Sequence, residues 1–387
     1  MAGLAVRVRQ PVVLVLAAVA TAAWLGLPLL RHAPNRLLSG RPLGLAAIGT
    51  ASAAVVVPTL VLLALSCAPR SRASSWAALT AAWALASGFL IAAGVASADL
   101  AAHASDTART SIGSGGWVVL VAGLLAEAEA TRMLRLPPLG RLAVFVVAAL
   151  GLALPAWLGW LDQLALAREW RAKQDVFGDA LWRHGVIVLG ALLPTLVIGL
   201  PLGFFAHRSA AFRRPLLSSL GLIQTIPSIA LFGLLMAPLT ALGDALPFLR
   251  EMGIRGIGLA PAILALTLYA LLPIVRNTVS GLDSTPASVL EAARGQGLTP
   301  TQVFLQVEAP LAAPVLLAGL RITVVQTIGL AAVAALIGAG GLGSLMFQGL
   351  FANAEDLVLL GAIPIVALAV AADVVLRLAA EGVRGAA

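Results

Sequence analysis

The chain has 387 residues, of which 60% are hydrophobic and 11% are charged, with a formal net charge of +8 at pH 7. An ordinary globular domain carries about 25% charged residues, so this composition excludes a water-soluble enzyme or binding domain. The apolar residues fall in runs of about 20, the length of a helix that crosses ~30 Å of hydrocarbon. Barrel strands are shorter and alternate in polarity. The composition therefore predicts an all-α, polytopic membrane protein.

The apolar runs predict about ten transmembrane helices. They cover residues 11–30, 45–66, 76–98, 115–131, 141–160, 185–206, 216–240, 259–275, 317–340 and 357–376. The first five runs form a predicted accessory N-terminal region at 1–165, and the last five form a predicted core at 185–387. Between these regions, residues 166–184 place apolar side chains among charges at helical intervals, which predicts an amphipathic connector on the outer membrane face.

The arginines between the runs indicate the orientation of the chain. If the N-terminus is cytoplasmic, the inner segments hold more basic than acidic residues, whereas the outer segments are balanced. The inner arginines include Arg7, Arg70, Arg72, Arg132, Arg135, Arg213, Arg214 and Arg294. We therefore predict cytoplasmic N- and C-termini. The positive charge is interpreted as membrane topology, and no nucleic-acid partner is expected.

Helix-breaking residues concentrate after residue 185. The prolines in or beside the predicted spans are Pro194, Pro201, Pro227, Pro238, Pro261 and Pro273, and the segment 338–343 has four glycines in six residues. A bilayer tolerates such residues where neighbouring helices or a water-filled path satisfy the freed backbone groups. This distribution predicts that a translocation pathway lies in the C-terminal half.

The candidate pathway or gate residues are polar or glycine residues within these apolar runs. They are Gln224, Pro227, Ser228, Gln326, Gly340 and Gly341. The polar side chains could line a pathway or could join helices by interhelical hydrogen bonds. The glycines permit positive φ, which suits an outward-opening gate and also a plain turn. The sequence leaves both alternatives open.

A polar segment at 284–310 separates the eighth and ninth runs. Thr285 before Pro286 predicts the N-cap of a short helix that ends at Gly295 or Gly297. Thr299 and Gln302 have capping-box spacing and predict the start of a second helix. That helix is expected to stop before Pro310. We expect two short helices that protrude from the membrane, and the alternative is an ordinary surface loop.

This segment resembles the cytoplasmic coupling loop of ABC importer permeases, written E-A-A, three residues, G, nine residues, I-x-L-P. Val307 and Ala309 stand where the family has Ile and Leu. The residues that the resemblance assigns to ATPase coupling are Glu291, Ala292, Ala293, Arg294, Gly297 and Pro310. The loop is typical of a membrane subunit that is driven by a separate ATPase.

Over residues 184–377, the chain is similar to permeases of the osmoprotectant branch of ABC importers, which take up glycine betaine, choline or carnitine. The matching stretches are 224–233, 268–277, 281–282 and 334–343. The additional N-terminal spans resemble those of a longer subclass of this branch. The resemblance implies the permease subunit of an ATP-driven importer for a compatible solute such as glycine betaine.

The implied protein is a multi-pass transport subunit of the bacterial cytoplasmic (inner) membrane and not an enzyme. The sequence has no Walker A pattern and no His/Cys cluster, so no cofactor is expected in this chain, and a partner would bind ATP and Mg. The implied partners are a cytoplasmic ABC ATPase dimer, a second permease copy or a shorter homologous permease, an extracytoplasmic substrate-binding protein and membrane lipid.

Other functions remain open at this point. With a single tyrosine, Tyr269, the chain is poorly equipped to build an aromatic cage for a quaternary ammonium group, so solute recognition is expected in the separate binding protein. The importer could instead carry another small solute such as an amino acid. An ion-driven secondary transporter would need paired intramembrane carboxylates, which the last five runs almost lack. A structural scaffold would need neither the prolines nor the loop.

Overall fold

The computed structural model describes residues 8–36, 38–251 and 253–386. Arg7, on which part of the predicted orientation rests, lies outside these residues. The chain divides into two units, Met1–Ala172 and Lys173–Ala387. Most of the described residues are helical, as the composition predicts.

The N-terminal unit consists of five α-helices joined by loops and a small sheet. Its helices are α1 (Pro11–Gly26), α2 (Ala53–Cys67, after a 3₁₀ segment at Leu45–Ser52), α3 (Arg72–Ala102), α4 (Ser114–Leu134) and α5 (Pro138–Trp157). Its strands are β1 (Leu30–Ala33), β2 (Arg41–Leu43) and β3 (Arg109–Ile112), in the antiparallel order β2-β1-β3. Leu30 of β1 pairs with Leu43 and with Ile112. These short strands were not expected from the sequence.

Small residues allow the helices of the N-terminal unit to approach closely. The buried alanines include Ala17, Ala20, Ala82, Ala86, Ala122 and Ala126. A Cβ on Gly116 of α4 would lie 2.5 Å from the Leu29 carbonyl oxygen and from the Phe89 ring. Between lipid-embedded helices, close packing replaces the hydrophobic effect as the source of association. The many alanines of this unit therefore allow its helices to pack closely.

The C-terminal unit begins within a long helix and continues to the end of the described chain. Its helices are α6 (Ala165–Arg208), α7 (Ala210–Thr225), α8 (Ser228–Ala245), α9 (Pro247–Glu251), α10 (Leu259–Asp283), α11 (Ala287–Gly295), α12 (Pro300–Val303), α13 (Ala309–Ala331), α14 (Leu342–Phe351) and α15 (Glu355–Ala386). The predicted connector at 166–184 and the sixth predicted span form one continuous helix, α6, with Pro194 and Pro201 inside it.

The described helices agree with the predicted fold class. Eight of them are long and apolar enough to cross a membrane, and two shorter apolar helices, Pro11–Gly26 and Leu342–Phe351, accompany them. The all-α polytopic fold class is therefore confirmed, with eight helices of membrane-crossing length among the described residues. The predicted fourth span, 115–131, lies in α4, which is not one of these eight.

Two predicted spans are interrupted. The run at 216–240 is broken between α7 and α8, where Ile226 is extended with φ −74° and ψ 126°. The cause is Pro227, because the residue before a proline disfavours the helical region. The run at 317–340 ends as α-helix at Ala331, and a 3₁₀ turn then leads to left-handed Gly338.

The helix that enters the membrane after the polar loop does not stop before Pro310, contrary to the sequence prediction. A π-helical turn at Phe304–Glu308 joins α12 to α13. The Ala309 N–H donates to the Phe304 carbonyl, five residues back. Pro310 then occupies the first turn of α13, where its missing N–H and fixed φ are tolerated. The π turn lets the helix pass through the proline.

Two glycines form the contact between α10 and α13. A Cβ on Gly319 would lie 2.4 Å from the Cβ of Asn277, and a Cβ on Gly281 would lie 3.2 Å from the Ala312 carbonyl oxygen. These helices flank the polar loop, since α10 ends at Asp283 and α13 begins at Ala309. Their close contact fixes the separation of the two ends of the loop.

We expect Gly319→Ala to lower the free energy of unfolding by about 1–3 kcal/mol, because the added methyl overlaps Asn277. Gly329→Ala on the same helix is the matched control, since nothing lies within 4 Å of its Cβ position. The control should be neutral or stabilising by up to about 1 kcal/mol, since alanine favours the helix. Denaturant unfolding of the purified protein measures both. Equal effects would show that Gly319 makes no close contact.

Candidate functional site

The polar loop at 284–310 forms a short helix, α11, followed by a glycine turn and the start of a second helix. Gly297 has φ +81°, a conformation that favours glycine. The Thr299 N–H donates to Gln302 Oε1 at 2.8 Å, and the Gln302 N–H donates to Thr299 Oγ1 at 3.4 Å. The capping box that the sequence predicts is therefore present and starts the second helix.

Thr285 does not cap α11, contrary to the sequence prediction. The N-cap residue is Pro286, and no side chain accepts a hydrogen bond there. The Thr285 N–H donates to the Leu282 carbonyl at 3.3 Å, so Thr285 still belongs to the last turn of α10. Its hydroxyl is buried and has no partner among the described residues.

The residues at the centre of the coupling resemblance lie on different faces of α11. Glu291, Ala292 and Arg294 are exposed, whereas Ala293 is 6% exposed and packs inside the loop. Pro310 is exposed at the start of α13. The exposed face of α11 combines two charged side chains with a small alanine between them. A surface of this kind allows the backbone of a partner to approach closely.

The first end of the loop is held by Asp283, the last residue of α10. Its Oδ1 lies 2.7 Å from His207 Nδ1, and its Oδ2 accepts from Arg213 Nη1 at 2.8 Å. His207 is near the end of α6, and Arg213 is in the first turn of α7. One carboxylate therefore joins the end of α10 to the α6–α7 corner.

The second end of the loop is held by Glu308, the last residue of the π turn. Its Oε2 accepts from Arg208 Nη2 at 2.8 Å, and its side chain is 2% exposed. The Arg208 guanidinium lies 5.3 Å from the centre of the Phe204 ring, which packs edge-on against Phe304 at 4.9 Å. Both ends of the loop are thus bound to the same corner, residues 204–213, through charge and aromatic contacts.

None of these attachment residues was expected from the sequence. Asp283 and Glu308 were not proposed as site residues, nor were His207, Arg208 and Arg213. A signal was present, since the two carboxylates stand at the boundaries of the polar loop and a basic cluster follows the sixth apolar run. Acidic residues at both ends of one loop require compensating charge nearby if they are buried.

The break between α7 and α8 is held by a reciprocal pair of hydrogen bonds to α10. Gln224 Nε2 donates to the Tyr269 carbonyl at 2.8 Å, and the Tyr269 hydroxyl donates to the Ile226 carbonyl. Pro227 is exposed, and Ser228 is half-buried at the start of α8. Gln224 therefore joins two helices. The hydroxyl of the single tyrosine donates to the Ile226 carbonyl, which has no helical donor because Ile226 is extended before Pro227.

The glycine run lies against α6. Gly340 and Gly341 have φ +80° and +82°. Arg183 Nε donates to the Ala339 carbonyl at 2.7 Å, and a Cβ on Gly340 would lie 3.0 Å from Arg183 Cδ. A Cβ on Gly341 would lie 3.3 Å from His184 Cα. The run is thus a close backbone contact with α6 as well as a turn.

His184 joins α6 to α13 at the same place. Its side chain is fully buried, and Nε2 lies 3.2 Å from the Ile328 carbonyl oxygen. A carbonyl only accepts, so the imidazole proton is on Nε2. Gln326, two residues earlier on α13, is exposed. The candidate pathway residues therefore lie at three places, namely the α7–α8 break, the glycine run and one face of α13.

Comparison with known proteins identifies both halves of the chain. Residues 196–385 match the family described as binding-protein-dependent transport system inner membrane component. Residues 8–167 match the family described as ABC transporter permease YehY, N-terminal domain. The osmoprotectant import permease protein OsmW of Salmonella typhimurium is 42% identical over 192 residues, which are 50% of this chain and 84% of the relative. The chain belongs to the binding-protein-dependent permease family.

Other relatives of this permease support the same family. The carnitine transport permease protein OpuCB of Listeria monocytogenes is 36% identical over 50% of this chain and 81% of its own length. The choline transport system permease protein OpuBB of Bacillus subtilis is 36% identical over 52% of this chain and 87% of its own length. The predicted resemblance to osmoprotectant permeases is confirmed.

A solved structure is also similar to part of this permease. An inward-facing form of the MetNI methionine ABC transporter matches 53% of this chain and 97% of its own chain, at 26% identity and with a TM-score of 0.44.

We expect Arg208 and Glu308 to be energetically coupled. A double-mutant cycle with Arg208→Gln and Glu308→Gln should give a coupling energy of about 1.5 kcal/mol, the lower end for hydrogen bonds to charged groups, because Arg208 is 42% exposed. The control cycle uses Arg250 and Asp244, which are 63% and 61% exposed at 3.3 Å, and should give at most about 0.5 kcal/mol. Denaturant unfolding measures both. A coupling no larger than the control would contradict this account of the loop.

Proposed function

We propose that the chain is the transmembrane subunit of an ATP-driven importer for a compatible solute of the glycine betaine, choline or carnitine class. Family membership and the printed names of the relatives support this proposal. The observation that carries it is the loop at 284–310, which presents an exposed short helix while both of its ends are bound to the α6–α7 corner.

The loop is the proposed docking element for a cytoplasmic ABC ATPase dimer. Glu291, Ala292 and Arg294 supply its exposed face. Gly297 supplies the turn that brings α11 back towards α12. ATP and Mg bind to the partner, and among the described residues of this chain there is no group of side chains that could hold a metal ion. The role of the chain in the ATPase cycle is mechanical.

Movement of the loop reaches the membrane helices through its two ends. Asp283 and Glu308 join the ends of α10 and α13 to residues 207–213. A force applied at α11 would therefore move α10, α13 and the α6–α7 corner together. Closure of the ATPase subunits on ATP would switch the pathway outward, and hydrolysis would return it inward. Such a transition needs a two-state packing arrangement rather than a flexible loop.

The pathway and the other parts of the assembly follow from this role. The α7–α8 break at Gln224, Pro227 and Ser228 and the glycine run at Gly340 and Gly341 are the proposed moving elements. An extracytoplasmic binding protein recognises the solute, and a second permease copy or a shorter homologue completes the pathway. Both termini are cytoplasmic. Residues 1–165 form an accessory region, residues 185–387 form the permease core, and residues 166–184 connect the two.

We expect a cysteine at position 292 to crosslink to the partner ATPase in a Cys67→Ser background. Ala293→Cys is the matched control, because Ala293 is buried inside the loop whereas its neighbour Ala292 is exposed.

Glu291→Lys should abolish solute uptake while the protein still inserts. The crosslink should persist in a chain that begins at residue 165 if 1–165 is accessory. If a membrane-impermeant reagent labels the loop at 284–310 only when it is added on the extracytoplasmic side, both the proposed orientation and the docking role are wrong.

We expect Gly340→Val and Gly341→Val to slow uptake or to uncouple ATP hydrolysis from it in proteoliposomes that contain the partner ATPase. Gly338→Val is the control, since it has the same positive φ, +76°, but open space around its Cβ position. All three variants place valine at positive φ and strain the backbone by about 1–3 kcal/mol, most at Gly341, whose ψ of −176° lies outside the left-handed helical region. Only the first two also press on Arg183 or His184, so Gly340→Val is the variant best matched to the control. Equal losses in all three would show that the run is a plain turn.

A further inference from the structure

The N-terminal unit contains a cavity of about 580 Å³ that the proposed transport cycle does not use. It lies where α3 begins and α4 ends, and its lining includes Arg70, Arg72, Arg132 and Arg135. Four guanidinium groups therefore surround one space. All four arginines are exposed. A cleft lined by charges of one sign concentrates counter-ions, so the chemistry of the cavity favours an anionic ligand.

The single carboxylate in the cavity does not neutralise this cluster. Glu129 accepts two hydrogen bonds from Arg132, both at 2.8 Å, and its side chain is only 12% exposed. The guanidinium groups of Arg70, Arg72 and Arg135 have no carboxylate partner in the part of the chain that the structure describes. Three cations therefore remain available to a ligand.

The backbone holds one of these cations in an unusual conformation. Arg135 is the C-cap of α4 with φ 47° and ψ 44°, and Arg135 and Asn353 are the non-glycine residues with positive φ in the described chain. A left-handed arginine costs about 1–2 kcal/mol. Strain of this kind clusters at ligand sites, where the surrounding structure maintains it. It directs Arg135 to the same cavity as Arg70 and Arg72.

The position of the cavity indicates the source of the anion. The candidate span that contains α2 ends at Cys67, and the span α3 begins at Arg72. The arginines therefore lie within a few residues of two membrane-helix ends, at the depth of the lipid headgroups. Basic pockets between membrane helices are suited to anionic headgroups, and arginine pairs geometrically with phosphate.

We propose that this arginine cavity binds the phosphodiester headgroup of an anionic phospholipid. The site is independent of the importer assignment, because it lies wholly within the N-terminal unit. It gives that unit a ligand of its own. A phosphodiester offers two unesterified oxygens, which the guanidinium forks of Arg72 and Arg135 can take up while Arg70 adds charge from the preceding loop.

The test measures lipid retention by native mass spectrometry of the purified full-length chain. The protein is delipidated and titrated with phosphatidylglycerol or with phosphatidylcholine. The wild-type chain should retain phosphatidylglycerol preferentially. The triple variant Arg70→Gln, Arg72→Gln, Arg135→Gln should bind it on the order of 100-fold more weakly, from about fivefold per arginine.

The matched control removes three exposed arginines elsewhere, with Arg41→Gln, Arg214→Gln and Arg255→Gln. Its net charge equals that of the cavity variant, so general attraction to anionic lipid changes equally in both. An equal loss of affinity in the two triple variants, or equal retention of the two lipids by the wild type, would overturn the proposal. Binding of inorganic phosphate with the same dependence on the three arginines, without selectivity for phosphatidylglycerol, would assign the cavity to a soluble anion and overturn the lipid source.

Discussion

Two carboxylates, one exposed and one buried, determine how the polar loop of this permease is attached to the membrane helices. Asp283 and Glu308 stand at opposite ends of the loop, and both are neutralised by side chains of residues 207–213. Loss of Arg208 would leave the buried Glu308 carboxylate without compensation, which is costly, whereas the exposed Asp283 pairs contribute less. The loop can therefore change its position only together with the corner that holds it.

The backbone departs from regular helix where the C-terminal unit needs a bend, and each departure is locally compensated. At Pro227, the freed Ile226 carbonyl accepts the Tyr269 hydroxyl. At Pro310, a π turn supplies an alternative hydrogen bond to Ala309. In the glycine run, the Ala339 carbonyl accepts from Arg183. Helices can be interrupted inside a membrane when such hydrogen bonds satisfy the freed backbone groups. A small number of side chains therefore stabilises each interruption.

Much of the fold could be predicted from the sequence because its signals are local. Apolar runs fix the membrane helices, and the spacing of Thr299 and Gln302 fixes the cap of α12. The loop was found because its motif is continuous in the chain. Its attachment was not found, since Arg208 and Glu308 are 100 residues apart and a lone charge at a helix end has many potential partners. The prediction that Thr285 caps α11 was wrong because the preceding helical turn continues into Thr285. The prediction that the helix stops before Pro310 was wrong because residue preferences do not predict a π turn.

The π turn at Phe304–Glu308 sets the rotational phase of α13. A π turn contains one more residue than the α-helical turn it replaces, and each residue of an α-helix corresponds to about 100° of rotation and 1.5 Å of rise. Without that additional residue, Phe304 could not face Phe204 while Gly319 faces Asn277. The second helix of the loop and α13 therefore form one continuous helix that is interrupted only by the π turn. Rewinding this turn to regular α-helix would convert a rotation of the loop into a rotation of α13 against α10.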